Sequence, residues 1–204
     1  IGLDIAGVDI VAEDISKPLE DQGGAIVEVN AGPGLIMHLK PAVGEPQAVG
    51  AAIVDHLFPN NADGRIPVVG ITGSRGKTMV AQLTTHLMQL TGMKVGLACS
   101  KGAFFNHRLQ TQGNCANWIS ANRILLNRQV EAAVFENDSR TILNEGLAYD
   151  RCTVGVVTNL DPLDTVPECS ITEPEQIYNV LRTQVDVVLP KGCTVLNADD
   201  EAVV

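Results

Sequence analysis

The sequence predicts an α/β protein: an antiparallel ribbon first, then a mostly parallel sheet with helices on both faces. Three observations carry that prediction. From residue 66 onward, short apolar runs rich in β-branched residues alternate with helical patterns, as in strands buried on both faces. Residues 66–78, IPVVGITGSRGKT, take one such strand through a glycine loop straight into a helix. Ahead of them, two strand-like runs flank a polar loop ending in Gly23-Gly24, the pattern of an antiparallel pair.

The elements follow in order. Residues 3–13 alternate as a strand and residues 25–30, AIVEVN, form its partner; Asn30-Ala31-Gly32-Pro33-Gly34 is a tight turn. Residues 46–58 carry Val49, Ile53, Val54 and Leu57 at helical spacing, and turn formers fill 59–64. The expected division is therefore a first domain over 1–58, a linker over 59–65 and a second domain over 66–204. After the glycine loop, Val80, Leu83, Leu87 and Leu90 are expected to line one face of a helix ended by Gly92. A strand over 94–99 completes a β-α-β unit. Residues 104–111 read as a small hairpin or flap, 119–127 as a helix, and 131–136 as a strand ending on Glu136. A helix over 138–147 and a buried strand over 153–159 come next. Thr172-Glu173-Pro174-Glu175 opens a helix that Pro190 and Gly192 stop, and 193–197 is the last strand. Ligands of such sheets sit beyond the carboxyl ends of the strands, where Thr72, Glu136, Asn159 and Asn197 all fall.

Composition narrows the function. The chain has 204 residues, begins at Ile1 within a strand-like run, and reads as a segment of a longer protein. A net charge of −10 with no basic cluster argues against nucleic-acid or anionic-membrane partners. No apolar run approaches the ~20 residues of a spanning helix. Five cysteines without C-x-x-C pairing read as reduced thiols of a cytoplasmic protein.

The glycine loop carries the chemistry. Gly73 and Gly76 let backbone N–H groups turn towards one point, with Ser74 between them. Lys77 brings a positive charge suited to the β/γ-phosphates of ATP, and the Thr78 hydroxyl suits Mg²⁺. Ile71 stands where the strict Walker pattern has its first glycine, so the run reads G-x-x-G-x-x-G-K-T from Gly70. The competing reading is a glycine-rich turn with a chance lysine. In the ribbon, Glu28 and Asn30 share a face that Asp9 can join, three hard oxygen ligands for Mg²⁺. From spacing alone a solvated strand edge is the favoured explanation, because acidic pairs on exposed strand faces are common.

The ending Glu28, Asn30, Pro33, Gly34, with Asp9 before it, resembles the E-x-N-x-x-P-G close of ATP-grasp ligases, which supplies two metal ligands. With a TG-x-x-GKT domain after it, the chain resembles the cyanophycin synthetase family. The likeness includes GLDIAGVDIVAEDISKPLE, GGAIVEVNAGPGLIMHLKPAVGEP, DGRIPVVGITG, EGLAYDRCTVGVVTN and VLNADD. It implies the C-terminal end of an ATP-grasp domain followed by a P-loop sheet of Mur-ligase central-domain type. It also implies ATP and Mg²⁺ as cofactors, a carboxylate activated as an acyl phosphate, and attack by an amine. The implied partners are a cyanophycin primer with aspartate and arginine, or β-aspartyl-arginine dipeptide; the expected assembly is a homo-oligomer. Lys77 and Glu136 become the catalytic pair, and Glu136 a metal ligand with Thr78. Asn197 and Asp199 match the adenine-side N-A-D-D block.

The second domain departs from the family pattern. Arg75 replaces an asparagine of the loop and Met79 its second threonine. The run Leu160-Asp161-Pro162-Leu163-Asp164 lacks the expected metal-binding histidine, and Leu181 stands where a lysine is expected. Loss of one group that stabilises the transferring phosphoryl typically costs ~10²–10³ in rate. The departures therefore point to a degenerate Mur-like site, as in family members that polymerise ready-made dipeptide. An ordinary two-module synthetase and a non-catalytic nucleotide-binding scaffold are the alternatives. Arg75 could fold over the loop and fill the phosphate space.

Overall fold

The structure, a computed structural model, describes residues 5–161 and 163–203. Leu3 and Asp4 of the expected first strand, and Pro162 after Asn159, lie outside the described residues. The chain divides into two compact units, Ile1–Arg65 and Ile66–Val204.

In the first unit, β1 (Gly7–Val11) and β2 (Ala25–Asn30) pair antiparallel, with a bulge between Asp9 and Ile10. A 3₁₀ turn at Glu20–Gln22 ends on Gly23 in the left-handed conformation and leads into β2. After the ribbon come a single helical turn, α1 (Ile36–Leu39), and α2 (Val49–Leu57). Val8, Val27 and Val29 of the ribbon are exposed, and neither helix has a buried residue.

The second unit is built on a seven-stranded sheet. Its strands are β3 (Val68–Thr72), β4 (Val95–Cys99), β5 (Gly102–Phe105), β6 (Arg108–Gln112), β7 (Ala132–Glu136), β8 (Cys152–Val157) and β9 (Val188–Leu196). They lie in the order β6-β5-β4-β7-β3-β8-β9. β4, β7, β3, β8 and β9 run parallel, and the hairpin β5-β6 adds the antiparallel edge. Every residue of β3, β4 and β7 is buried, because helices cover both faces. α3 (Lys77–Leu90) packs on one face over Val69, Ile71, Val95, Leu97 and Val134. α4 (Trp118–Leu125) packs on the other with Val68, Ala98 and Phe135. α6 (Pro174–Asp186) closes that face over β8, with Val157, Leu160, Ile177 and Leu181 in one cluster. The short α5 (Ser139–Asn144) follows β7. β3 pairs with β7 on one side and β8 on the other, so the chain fans out in both directions from β3. That places the crevice at the end of β3, where the glycine loop begins.

Several expectations change. Leu83, Leu87 and Leu90 do not face the core: they are 56%, 54% and 70% exposed, while Ala81 and Thr85 are buried. Ala81 and Thr85 form the innermost stripe of α3, and Val80 and Met88 pack half-buried against the same cluster. Gly70 lies in the middle of β3 rather than in the loop. A Cβ there would collide with the Tyr149 hydroxyl and the Gln184 amide, so its glycine serves close packing. The last strand starts at Val188, not at residue 193. Its register jumps from Cys152↔Val188 to Val154↔Cys193, so Pro190 and Gly192 fall in a bulge where a missing N–H does no harm. α5 ends early at Asn144, where the N–H of Gly146, at φ 74°, closes back on Thr141 O.

Candidate functional site

The glycine loop turns through Gly73 (φ 127°) and Gly76 (φ 82°), both in backbone space that other residues rarely occupy. A Cβ at residue 73 would also collide with the Thr158 hydroxyl. Gly76 caps α3, whose first turn leaves N–H groups without helical partners and carries the positive end of the helix dipole. An anion is the natural partner for that arrangement.

The segment after β8 holds the loop from the side. Asn159 uses its whole side chain: Oδ1 accepts the Arg75 N–H at 2.9 Å and Nδ2 donates to Arg75 O at 3.0 Å. The Thr158 hydroxyl donates to Arg75 O at 2.7 Å, the Ser74 N–H reaches Asn159 O at 3.0 Å, and the Asp161 N–H reaches Ser74 Oγ at 2.8 Å. The Arg75 guanidinium reaches outward to Asp161 Oδ2 at 2.6 Å with its side chain 80% exposed. Arg75 is not among the residues lining the cavity beside the loop, so it does not fill that space as its charge suggested.

Lys77 Nζ donates to Gly73 O at 2.7 Å, folded back on its own loop. Thr78, one residue on, leads to Glu136. Its hydroxyl donates to Glu136 Oε1 at 3.0 Å and lies 2.8 Å from Ser100 Oγ. The Ser100 N–H donates to Glu136 Oε2 at 2.8 Å. Glu136 is 6% exposed and faces α3 from the last position of β7. A buried carboxylate needs such donors. Burial, with a smaller contribution from the Glu136 charge, raises the Cys99 thiol above its ordinary pKa, so Cys99 stays protonated and inert.

A cavity of about 260 Å³ opens beside the loop, with Gly73, Ser74 and Lys77 on one wall and Asp138, Arg140 and Asp164 among the residues opposite. Arg140 pairs with Glu168 at 2.9 Å. Lys77 is thus bonded to the loop, and Glu136 to Thr78 in the first turn of α3. Two of the four strand-end residues behave differently. Thr72 has a fully buried side chain, and its Oγ1 has no protein partner among the described residues. Asn197 bonds within its own turn, Oδ1 accepting the Asp199 N–H at 3.1 Å. Asp200 makes the link back, accepting the Leu160 N–H at 2.8 Å. Leu181 is 2% exposed and packs among Val157, Leu160, Val166 and Ile177.

In the first unit, Asp9 stands directly opposite Glu28, and Asn30 opposite Gly7. Directly paired residues share a face, as do residues two apart, so Asp9, Glu28 and Asn30 lie on one side of the ribbon. Asp9 and Glu28 are exposed. No cluster of three His, Cys, Asp or Glu side chains able to hold a metal occurs among the described residues.

Ser100, Thr158, Asp161 and Asp200 are the site-building residues that sequence reasoning does not place in the site, whereas Asn159 is expected there from its strand-end position. Ser100 had a usable signal, since it directly follows the apolar strand run VGLAC.

A parallel sheet with a glycine loop running into a helix, and a hydroxyl and carboxylate meeting at its base, is an α/β domain whose central strand ends in a turn suited to an anion. Residues 71–204 match the Mur ligase middle domain, and the chain belongs to that family. It is 43% identical over 203 residues to a cyanophycin synthetase of a Synechocystis strain, covering 100% of this chain and 23% of that protein. A second cyanophycin synthetase, from a Crocosphaera subtropica strain, is 43% identical with the same coverage. A UDP-N-acetylmuramoyl-L-alanyl-D-glutamate–2,6-diaminopimelate ligase of Chlamydia muridarum is 32% identical over 155 residues, 71% of this chain and 30% of that ligase. A solved structure of a ligase of that name superposes with a TM-score of 0.54 at 17% identity, over 74% of this chain and 30% of that one, so the fold is shared. The chain spans about a quarter of the length of the cyanophycin synthetases it matches. Among the described residues, no helix is long and apolar enough to cross a membrane.

Proposed function

We propose that this chain is part of an ATP-dependent acid–amino-acid ligase of the cyanophycin synthetase kind, and that its Mur-like site binds nucleotide but is degenerate for catalysis. The observation that carries nucleotide binding is the Thr78–Ser100–Glu136 set at the start of α3, beside Lys77. Thr78 and Glu136 offer a hydroxyl and a carboxylate, a hard donor pair that fits Mg²⁺. When bound with ATP, Mg²⁺ supplies positive charge to the phosphates. The chain's own part is to orient and neutralise. Lys77 leaves Gly73 O for a phosphate oxygen, and the first-turn N–H groups of α3 donate to the same anion. Ser74 and Gly76 shape the cradle, and the adenine side falls to Asn197 and Asp199. Carboxylate activation as an acyl phosphate followed by amine attack is the reaction that the likeness to cyanophycin synthetases suggests.

The burial of Leu181 supports degeneracy: a position where the family resemblance implies a lysine is part of an apolar cluster. The run after Asn159 has no histidine to serve as a second metal ligand. We assign the remaining ligase chemistry to the first unit, read as the close of an ATP-grasp domain with Asp9, Glu28 and Asn30 as its Mg²⁺ face. The shared face of these residues and the exposure of Asp9 and Glu28 support that reading. The substrate is then β-aspartyl-arginine dipeptide added to a cyanophycin primer in a cytoplasmic homo-oligomer.

Phosphate release by the full-length protein tests this with two substrate sets. Dipeptide, primer, Mg²⁺ and ATP should support turnover that Glu28→Gln abolishes and Lys77→Ala leaves nearly unchanged, since a group that does not meet the transition state is not missed. Turnover that requires free arginine and collapses in Lys77→Ala would restore the two-module synthetase instead.

A further inference from the structure

Behind Glu136 lies a buried polar cluster on the opposite face of the sheet. Successive residues of a strand alternate faces, so Glu136 meets α3 while Asn137 points towards α6. Asn137 Nδ2 donates one hydrogen to Tyr149 Oη at 2.8 Å and the other to Gln184 Oε1 at 2.9 Å. The Tyr149 hydroxyl donates to the same Gln184 oxygen at 2.7 Å, and Gln184 Nε2 donates to Cys152 Sγ at 3.3 Å. All four residues are buried, Gln184 completely. Asn137 Nδ2, Tyr149 Oη and Gln184 Nε2 each find an acceptor, as buried donor atoms require. Tyr149 also stacks on Phe135, with ring centroids 5.6 Å apart.

The cluster sits where the sheet stops guiding the chain. The pairing of β3 with β7 ends at Ile71↔Glu136, and the Asn137 N–H to Ile71 O bond, 2.8 Å, comes directly after it. Beyond that bond the backbone turns into α5. The Asn137 side chain is therefore anchored on one face while the Glu136 carboxylate is presented on the other.

We propose that Gln184 is a positioning residue: through Asn137 it holds the end of β7 so that Glu136 keeps the orientation set by Thr78 and Ser100 and can share a divalent cation with bound nucleotide. This rests on the reading of Glu136 as a metal-binding group. Partners that orient a metal ligand without touching the metal typically carry about 10–100-fold in metal affinity. Gln184 acts at the low end of that range, because Thr78 and Ser100 still hold the carboxylate in its absence.

The test uses the full-length protein with Mn²⁺ as the probe, in a Glu28→Gln background that removes the other proposed metal face. Mn²⁺ binding in the presence of ATP is read by electron paramagnetic resonance, and ATP binding without metal by calorimetry in EDTA. Glu136→Gln should weaken Mn²⁺ binding and leave metal-free ATP binding intact. Gln184→Met should weaken Mn²⁺ binding by about 10-fold with the same metal-free ATP affinity. Tyr149→Phe keeps the Asn137–Gln184 bond and most of the packing, so it should fold where Gln184→Met does not and show a smaller loss in the same direction. If Glu136→Gln weakens Mn²⁺ binding while the Gln184 and Tyr149 variants only lower the melting temperature, the cluster is purely structural and the inference is overturned. If Glu136→Gln itself leaves Mn²⁺ binding unchanged, the metal reading of the site fails first, and the positioning role with it.

Discussion

Cys152 shows how much a single side chain owes to its surroundings. It is 1% exposed, and burial pushes its thiol up from the ordinary 9.0 to about 11, although the Gln184 amide favours the thiolate. Tyr149, in the same cluster, is also raised, again chiefly by burial. The sign follows directly. A group whose folded pKa is raised contributes stability below its unfolded value and loses it as pH rises towards the folded one. Urea unfolding should therefore show stability falling between pH 9.0 and about 11. In Cys152→Ala that part of the pH dependence should shrink, with a lower plateau at pH 8 because Gln184 loses an acceptor. An unchanged slope would mean that the thiol does not titrate in that window. Residue types alone announced Lys77, Thr78 and Glu136 as chemical groups, because a lysine after a glycine loop and a carboxylate at a strand end are local patterns. Asn137, Tyr149 and Gln184 made no such announcement, since their meaning lies in one another.

At the scale of the element, α3 separates pattern from packing. Its leucines at 83, 87 and 90 recur at helical spacing, and that spacing correctly marks a helix. The spacing does not say which stripe meets the sheet when a second stripe of small residues is present. Ala81 and Thr85 occupy the inner stripe, with the Thr85 hydroxyl satisfied by Ala81 O at 2.8 Å. Leu87→Ser should therefore change stability by within about 0.5 kcal/mol, as for other exposed positions. Ala81→Leu should destabilise by about 1–3 kcal/mol through overpacking against the sheet. Chemical denaturation of both variants checks the pair, and a larger loss at residue 87 would reverse the assignment of faces. The strands were easier to recognise. A run buried on both faces has one reading, and β3, β4 and β7 were each located to within two residues at either end. β9 is harder to bound, because Pro190 and Gly192 are breakers in isolation, yet a bulge absorbs both.

At the scale of the whole molecule, the second unit is a sheet whose two faces do different work. The α3 face carries the glycine loop, Thr78 and Glu136; the α6 face carries the buried amide cluster and the apolar group around Leu181. Returning a lysine to position 181 is therefore not a repair. Leu181→Lys should cost about 3 kcal/mol by placing an unpaired charge among Val157, Val166 and Ile177. It should not create arginine-dependent turnover. Denaturation and phosphate release on the full-length variant test both halves, and a stable variant that gains that turnover would refute the view of Leu181 as core.

Read alone, the residues disclose the mostly parallel α/β sheet of the second unit, the strand–loop–helix at residues 66–78, and the position of Lys77 and Thr78 at the start of α3. Those signals are periodicities and spacings within a few residues, so no distant partner is needed to read them. Tertiary structure alone decided which stripe of α3 is buried, why residue 70 is glycine, and where Arg75 reaches. It also decided that Glu136 is held by Thr78, 58 positions away, while Asn137 is held by Gln184, 47 positions away. Hydrogen bonds and steric exclusion act over a few ångströms in space. Folding chooses which residues come that close.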